Sequence, residues 1–228
     1  MIELLLWILA VSVITLAGSY YAKRFSKPDM LIGLYVAFVV FSNIAAVKLV
    51  DYNILGISFF APAATIIFSI TFLLTDIVNE KFGKDETKKM ILIAFVSQIA
   101  VTFFIWLTLS LTPAPFWKGE ESFQAILGFA PRLAIAGWIA FFISENLDAS
   151  IFDWFKKKTK GKALWMRNAF STLPSMLIDS IVFVTLAFFG TMPFEQLISL
   201  IIGLIVVKWI VGIINIPFMY LNRFVMKK

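Results

Sequence analysis

Seven long apolar runs dominate this chain, and no other feature restricts its fold as strongly. They cover roughly residues 2–22, 30–50, 59–80, 87–112, 123–155, 163–190 and 194–222. A helix needs about 20 mostly apolar residues to cross the hydrocarbon core of a bilayer. With no water there to bond the backbone, only helices or closed barrels can span it. The alternation of a barrel strand is absent, because the runs are long and continuously apolar. The expected fold is therefore all-α, a polytopic membrane protein with one transmembrane domain over residues 1–228. Composition agrees: 61% hydrophobic residues, 15% charged residues and a mean hydropathy of +0.92 make lipid the solvent for most of the chain.

The net charge of +6 would suggest nucleic acid if the basic residues shared one polar surface. They fall instead in short blocks between runs. Loops rich in Lys and Arg stay in the cytoplasm, and here every second loop is basic. Lys23, Arg24 and Lys27 follow the first run, and Lys81, Lys84, Lys88 and Lys89 follow the third. Lys156, Lys157, Lys158, Lys160, Lys162 and Arg167 follow the fifth, and Arg223, Lys227 and Lys228 end the chain. The loops near Asp51, Trp117 and Met192 hold only Lys118. This pattern predicts a multi-pass protein of the plasma or inner membrane, with its N-terminus outside and its C-terminus inside. The first run carries Glu3 before its apolar core and basic residues after it, the reverse of a signal peptide, so it reads as a retained helix.

The chain has no Cys and no His, which removes disulfides, thiolate sites, the usual metal ligand and the usual proton shuttle of neutral pH. No Gly-x-Ser-x-Gly or His-Glu-x-x-His motif is present, and no glycine loop for ATP. We expect no enzyme, no catalytic residue, no metal and no cofactor; any use of ATP would need a partner chain.

An ionisable group within hydrocarbon costs several kcal/mol unless it is paired or hydrated, so each one needs a reason. Away from the loops stand Lys48, Asp76, Glu80, Arg132, Glu145, Asp148, Asp179 and Lys208. In the sixth run Asn168, Thr172, Ser175 and Asp179 fall at i, i+4, i+7 and i+11, one stripe of a helix. Such a stripe faces protein or water. In the seventh run Lys208, Asn215 and Asn222 recur at intervals of seven. Asp179 and Lys208 both lie about halfway through their runs and would neutralise each other, either as a structural ion pair or as a site that rearranges in transport. Ser69, Asp76 and Glu80 share a face of the third run beside Asn79, Arg132 lies in the outer half of the fifth, and Glu145 and Asp148 lie one turn apart in its inner half. Asn43 and Lys48 occupy the second run, where Asn43 suits helix packing more than binding.

These polar segments resemble the queuosine-precursor transporters of the vitamin-uptake transporter group. The matching segments are Ser42-Asn43, the stretch from Phe72 through Thr75-Asp76 and Asn79-Glu80 to Phe82-Gly83, Arg132, and Leu147-Asp148 with Phe152. Arg167-Asn168, Ser171-Thr172, Ile178-Asp179, Lys208, and Pro217 with Tyr220 complete the set. The resemblance covers about residues 30–225 and implies a six-helix transporter core, similar to the substrate-binding subunits of energy-coupling-factor transporters, with residues 1–25 as an additional helix. It implies import of a 7-deazaguanine such as 7-cyano-7-deazaguanine, with the lipid bilayer as surroundings, no nucleic-acid partner and room for an assembly of identical chains. The edge of such a base presents two N–H donors beside a carbonyl. One carboxylate, Glu145 or Asp179, can accept both while an amide or cation donates to the oxygen. The binding residues implied are Asn43, Arg132, Glu145, Asn168, Asp179 and Lys208, with Asp76, Glu80 and Asp148 in gating or structural roles. Uptake of another small planar vitamin-like compound, or a scaffold subunit without a substrate, are the alternatives.

Overall fold

A computed structural model describes residues 2–54, 56–158 and 164–227. These form, in chain order, α1 (Ile2–Phe25), α2 (Asp29–Ala45), β1 (Leu49–Ile54), β2 (Ile57–Pro62), α3 (Ala64–Phe82), α4 (Lys84–Leu109), α5 (Glu120–Leu127), α6 (Ala130–Lys158), α7 (Leu164–Phe188) and α8 (Phe194–Lys227). The architecture is mostly helical. By length and composition, four stretches among the described residues suit a membrane crossing: Leu6–Phe25, Lys84–Leu109, Glu120–Ser144 and Phe194–Met226. Asp29–Ala45 and Leu173–Phe188 are apolar and shorter. Large apolar side chains such as Phe104, Trp106 and Ile213 point outward, as lipid allows and water would penalise.

Two of the expected runs are interrupted. The second stops at Ala45, and the third starts in an extended conformation, because residues 49–62 form an antiparallel hairpin. Its register pairs Leu49 with Pro62 and Ile54 with Ile57. Val50, Tyr52, Ile54, Ile57 and Phe59 have the branched and aromatic character of strands. Gly56 takes a φ of +86° at the turn, where its N–H donates to Asn53 Oδ1 at 3.1 Å. Short apolar segments of this kind read alike as helix or strand by hydropathy alone. The fifth run is split as well: α5 ends at Leu127, and α6 begins at Ala130 with Pro131 in its first turn, where a missing N–H costs nothing.

The helix α8 is the organising element, packed against α1, α3, α7 and β2. Leu200, Leu204, Val207 and Val211 give it a buried apolar stripe. At Gly203 the absence of a side chain lets the backbone of Phe60 in the hairpin lie directly on the helix. The helix α1 is tied in by buried polar bonds. Ser19 donates to Asn222 Oδ1 at 2.7 Å, and Asn222 Nδ2 donates to Thr15 Oγ1 at 3.1 Å and to Phe218 O at 2.8 Å. Trp7 Nε1 donates to Ile66 O of α3 at 2.9 Å. In hydrocarbon such groups have no water to fall back on, so they fix the position of α1 against the bundle.

Candidate functional site

Between α2, α4, α6, α7 and α8 lies a cavity of about 420 Å³, with Pro62 of the hairpin and Ala64 and Thr65 of α3 at one end and Lys88 of α4 at the other. Small residues create the space: Ala46, Ala94, Ala134 and Gly137 line it where larger side chains would fill it. Aromatic residues form much of the remaining wall, among them Phe68, Phe95, Trp138, Phe141 and Phe183. A volume of this size, mostly apolar with a few convergent polar groups, is typical of small-molecule sites.

The polar groups meet in two places. On one wall Lys208 Nζ pairs with Asp179 Oδ2; their side chains are 11% and 19% exposed. Ser144 Oγ approaches the other carboxylate oxygen of Asp179 at 3.4 Å and also donates to Phe141 O at 3.1 Å. The two charges cancel, which is what makes a lysine and an aspartate tolerable here. On the opposite side Ser42 and Asn43 of α2 face the cavity beside Gln98 of α4. Gln98 Nε2 reaches Val39 O at 3.5 Å, and its Oε1 accepts the indole N–H of Trp138. Trp138 and Phe95 meet edge to face, with centroids 5.1 Å apart. Ser42 is 4% exposed, and its hydroxyl has no hydrogen-bond partner among the described residues.

Of the residues expected to bind substrate, the structure brings Asn43, Asp179 and Lys208 together around this cavity. The side chains of Glu145, Asn168 and Asp148 lie outside the described residues. Arg132 is placed elsewhere. It is exposed, and its Nε and Nη2 donate to Leu186 O at 3.0 Å and Phe189 O at 2.6 Å, while its guanidinium stands over Phe129. Those carbonyls end α7 and have no helical partner of their own, so a cation there both caps the helix and complements its dipole. Accordingly, Arg132→Gln should lower thermal stability by about 1 kcal/mol and leave ligand affinity unchanged, as measured by unfolding with and without ligand.

Asp76 and Glu80 also lie away from the cavity. Asp76 sits on the exposed face of α3, while Glu80 pairs with Arg223 of α8 at 3.0 Å, next to Lys81, which donates to Met226 O at 3.1 Å. These contacts clasp the ends of α3 and α8. The seven-residue stripe of α8 serves three neighbours in turn. Lys208 faces the cavity, Asn215 Nδ2 donates to Ser69 O of α3 at 3.0 Å, and Asn222 meets α1. Gln98 and Trp138 are cavity residues that lie outside the charged stripes of the sequence, and Ser42 enters there only as the neighbour of Asn43. Their signal in the sequence is a lone amide in the apolar run 87–112 and a serine beside Asn43.

A solute-sized cavity with an internal ion pair, inside a multi-pass helical membrane protein, is an arrangement suited to a membrane transport protein. Residues 62–222 match the family described as "Putative vitamin uptake transporter". The chain belongs to that family. It is 28% identical over 201 residues, 88% of this chain and 86% of the relative, to a Bacillus subtilis (strain 168) protein named "Probable queuosine precursor transporter". A protein of the same name from Haemophilus influenzae is 26% identical over 132 residues, 58% of this chain and 54% of that relative. These matches bear out the resemblance carried by the polar segments. No solved structure matches the chain.

Proposed function

We propose that this protein imports queuosine precursors, 7-deazaguanine bases such as 7-cyano-7-deazaguanine, and binds them in the cavity between α2, α4, α6, α7 and α8. The observation that carries the proposal is the Asp179–Lys208 pair set among aromatic walls. A carboxylate that can accept two N–H donors, beside an ammonium that can donate to a carbonyl, complements the edge of a guanine-like base. The names of the two relatives support the same substrate class. Asn43 completes the described part of the site, and Glu145 and Asn168 are assigned to it from the sequence.

In this reading α2 to α8 form the transporter core, and α1 is added to it. The alternation of basic loops supports a chain with its N-terminus outside and its C-terminus in the cytoplasm. The hairpin then closes the outer end of the cavity, and Lys88 stands at its cytoplasmic mouth. The protein works without catalysis of its own, and energy from ATP would come from another chain.

The test is thermal unfolding of the purified protein with 7-cyano-7-deazaguanine, joined to uptake of the labelled base. A ligand that binds only the folded state adds about 2.7 kcal/mol at 100 times its Kd, which should raise the melting temperature by several degrees. Asp179→Asn should abolish both the shift and the uptake. Absence of a shift with any 7-deazaguanine, alongside a shift with another planar vitamin, would move the substrate assignment to that compound.

A further inference from the structure

The wall opposite the ion pair has a construction of its own. On α2, Tyr35, Val39, Ser42 and Ala46 recur at helical spacing and all line the cavity. Gln98 reaches the carbonyl of Val39, one turn from Ser42. Trp138 can only donate, so its N–H must face the amide oxygen of Gln98, and the amide nitrogen therefore points to α2. With its single polar atom engaged, all that Trp138 has left for a ligand is ring surface. Phe95, three residues before Gln98 on α4, packs against the same indole, so the ring is held by a hydrogen bond and by an aromatic neighbour. Beside this platform stands the Ser42 hydroxyl, buried and unpartnered among the described residues. Buried hydroxyls are normally satisfied, so an orphan lining a cavity marks a place where something else supplies the bond.

We infer that Trp138 is a substrate-contacting residue on which a planar, net-uncharged heteroaromatic ring stacks, that Gln98 is the positioning residue that holds the indole, and that Ser42 hydrogen-bonds the ligand's edge at the α2 wall. The inference rests on the cavity being the transport site and adds the half of that site which reads ring shape. The ligand is net-uncharged because Asp179 and Lys208 already neutralise each other. Stacking accounts for the planarity, and Ser42 asks for at least one polar atom on the ring edge facing α2.

The experiment is equilibrium binding and thermal unfolding of the purified full chain with three probes: 7-cyano-7-deazaguanine, guanine and pterin. Trp138→Leu should weaken binding at least tenfold, whereas Trp138→Phe keeps a ring and should stay within about threefold of the parent, as base–aromatic stacking predicts. Gln98→Leu should weaken binding in the parent and cost nothing further in the Trp138→Phe background, where no N–H remains to be held. Ser42→Ala should separate stability from affinity. Removing an unsatisfied buried hydroxyl should raise the melting temperature, while binding weakens about three- to tenfold. Parent-like affinity in both Trp138→Leu and Ser42→Ala would overturn the inference, as would an equal cost of Gln98→Leu in both backgrounds. If the parent binds guanine or pterin but no 7-deazaguanine, and Trp138→Leu loses that binding, the inference stands while the queuosine assignment falls. A parent that binds none of the three overturns both.

Discussion

Lys208→Ala, made alone, is expected to destabilise the protein by about 3–5 kcal/mol, because it leaves Asp179 as an unpaired charge in an apolar cavity. The pair itself need not be worth that much. Moving two charges out of water costs roughly what their attraction returns, so removing both should be far milder than removing one. The double variant Asp179→Asn, Lys208→Met should therefore recover most of the melting temperature lost by Lys208→Ala. Uptake separates the two roles open to the pair. If the ions serve only to hold α7 against α8, the double variant, once stable, should also transport. If they read the ligand, it should be folded, correctly inserted and inactive, and the second result is the one expected here. Recovery of both stability and uptake would return the pair to a purely structural role.

The part of this site that was legible in the sequence is the part where physics makes mistakes expensive. A carboxylate at 179 and an ammonium at 208, each about halfway through an apolar run, cannot be left to face lipid. Their pairing is therefore readable in the sequence itself. Arg132 shows the limit of the same reasoning. Burial cost says that a guanidinium must find partners but not which ones, and here it takes carbonyls at the end of α7, away from the cavity. Ser42, Gln98 and Trp138 are neutral, and neutral groups can be satisfied almost anywhere in a bundle, so only the meeting of α2, α4 and α6 reveals their arrangement. The hairpin was hidden for a related reason. Its ends, residues 49–50 and 59–62, are short apolar stretches that merge by hydropathy with the runs on either side, and the polar stretch between them reads as a plain loop, so nothing marks the change from a helical to an extended backbone.

Two glycines make matched probes of what the cavity and its closure require, with effects in opposite directions. At Gly203 an added Cβ would lie 2.7 Å from both the N and the C of Phe60, inside van der Waals contact with backbone on one side and on a helix whose own backbone cannot move away on the other. No rotamer change relieves such a clash, so the hairpin must leave α8. Gly203→Ala should therefore lose several degrees of melting temperature, beyond the 1–3 kcal/mol typical of overpacking by a flexible neighbour. Gly137 also lines the cavity, but a Cβ there meets nothing within 4 Å. Gly137→Leu should keep or slightly raise stability, since a helical glycine costs about 1 kcal/mol relative to a good helix former. Its side chain, however, would occupy the space assigned to the ligand, so the thermal shift with 7-cyano-7-deazaguanine should vanish. Gly137→Ala supplies the control, with stability maintained and binding reduced much less. A Gly137→Leu protein that still binds would place the ligand away from α6, whereas a stable Gly203→Ala protein would mean that the hairpin does not depend on close approach to α8. The same pair separates the two functions of small residues in this bundle: one lets two backbones touch, and the other keeps two helices far enough apart to admit a solute.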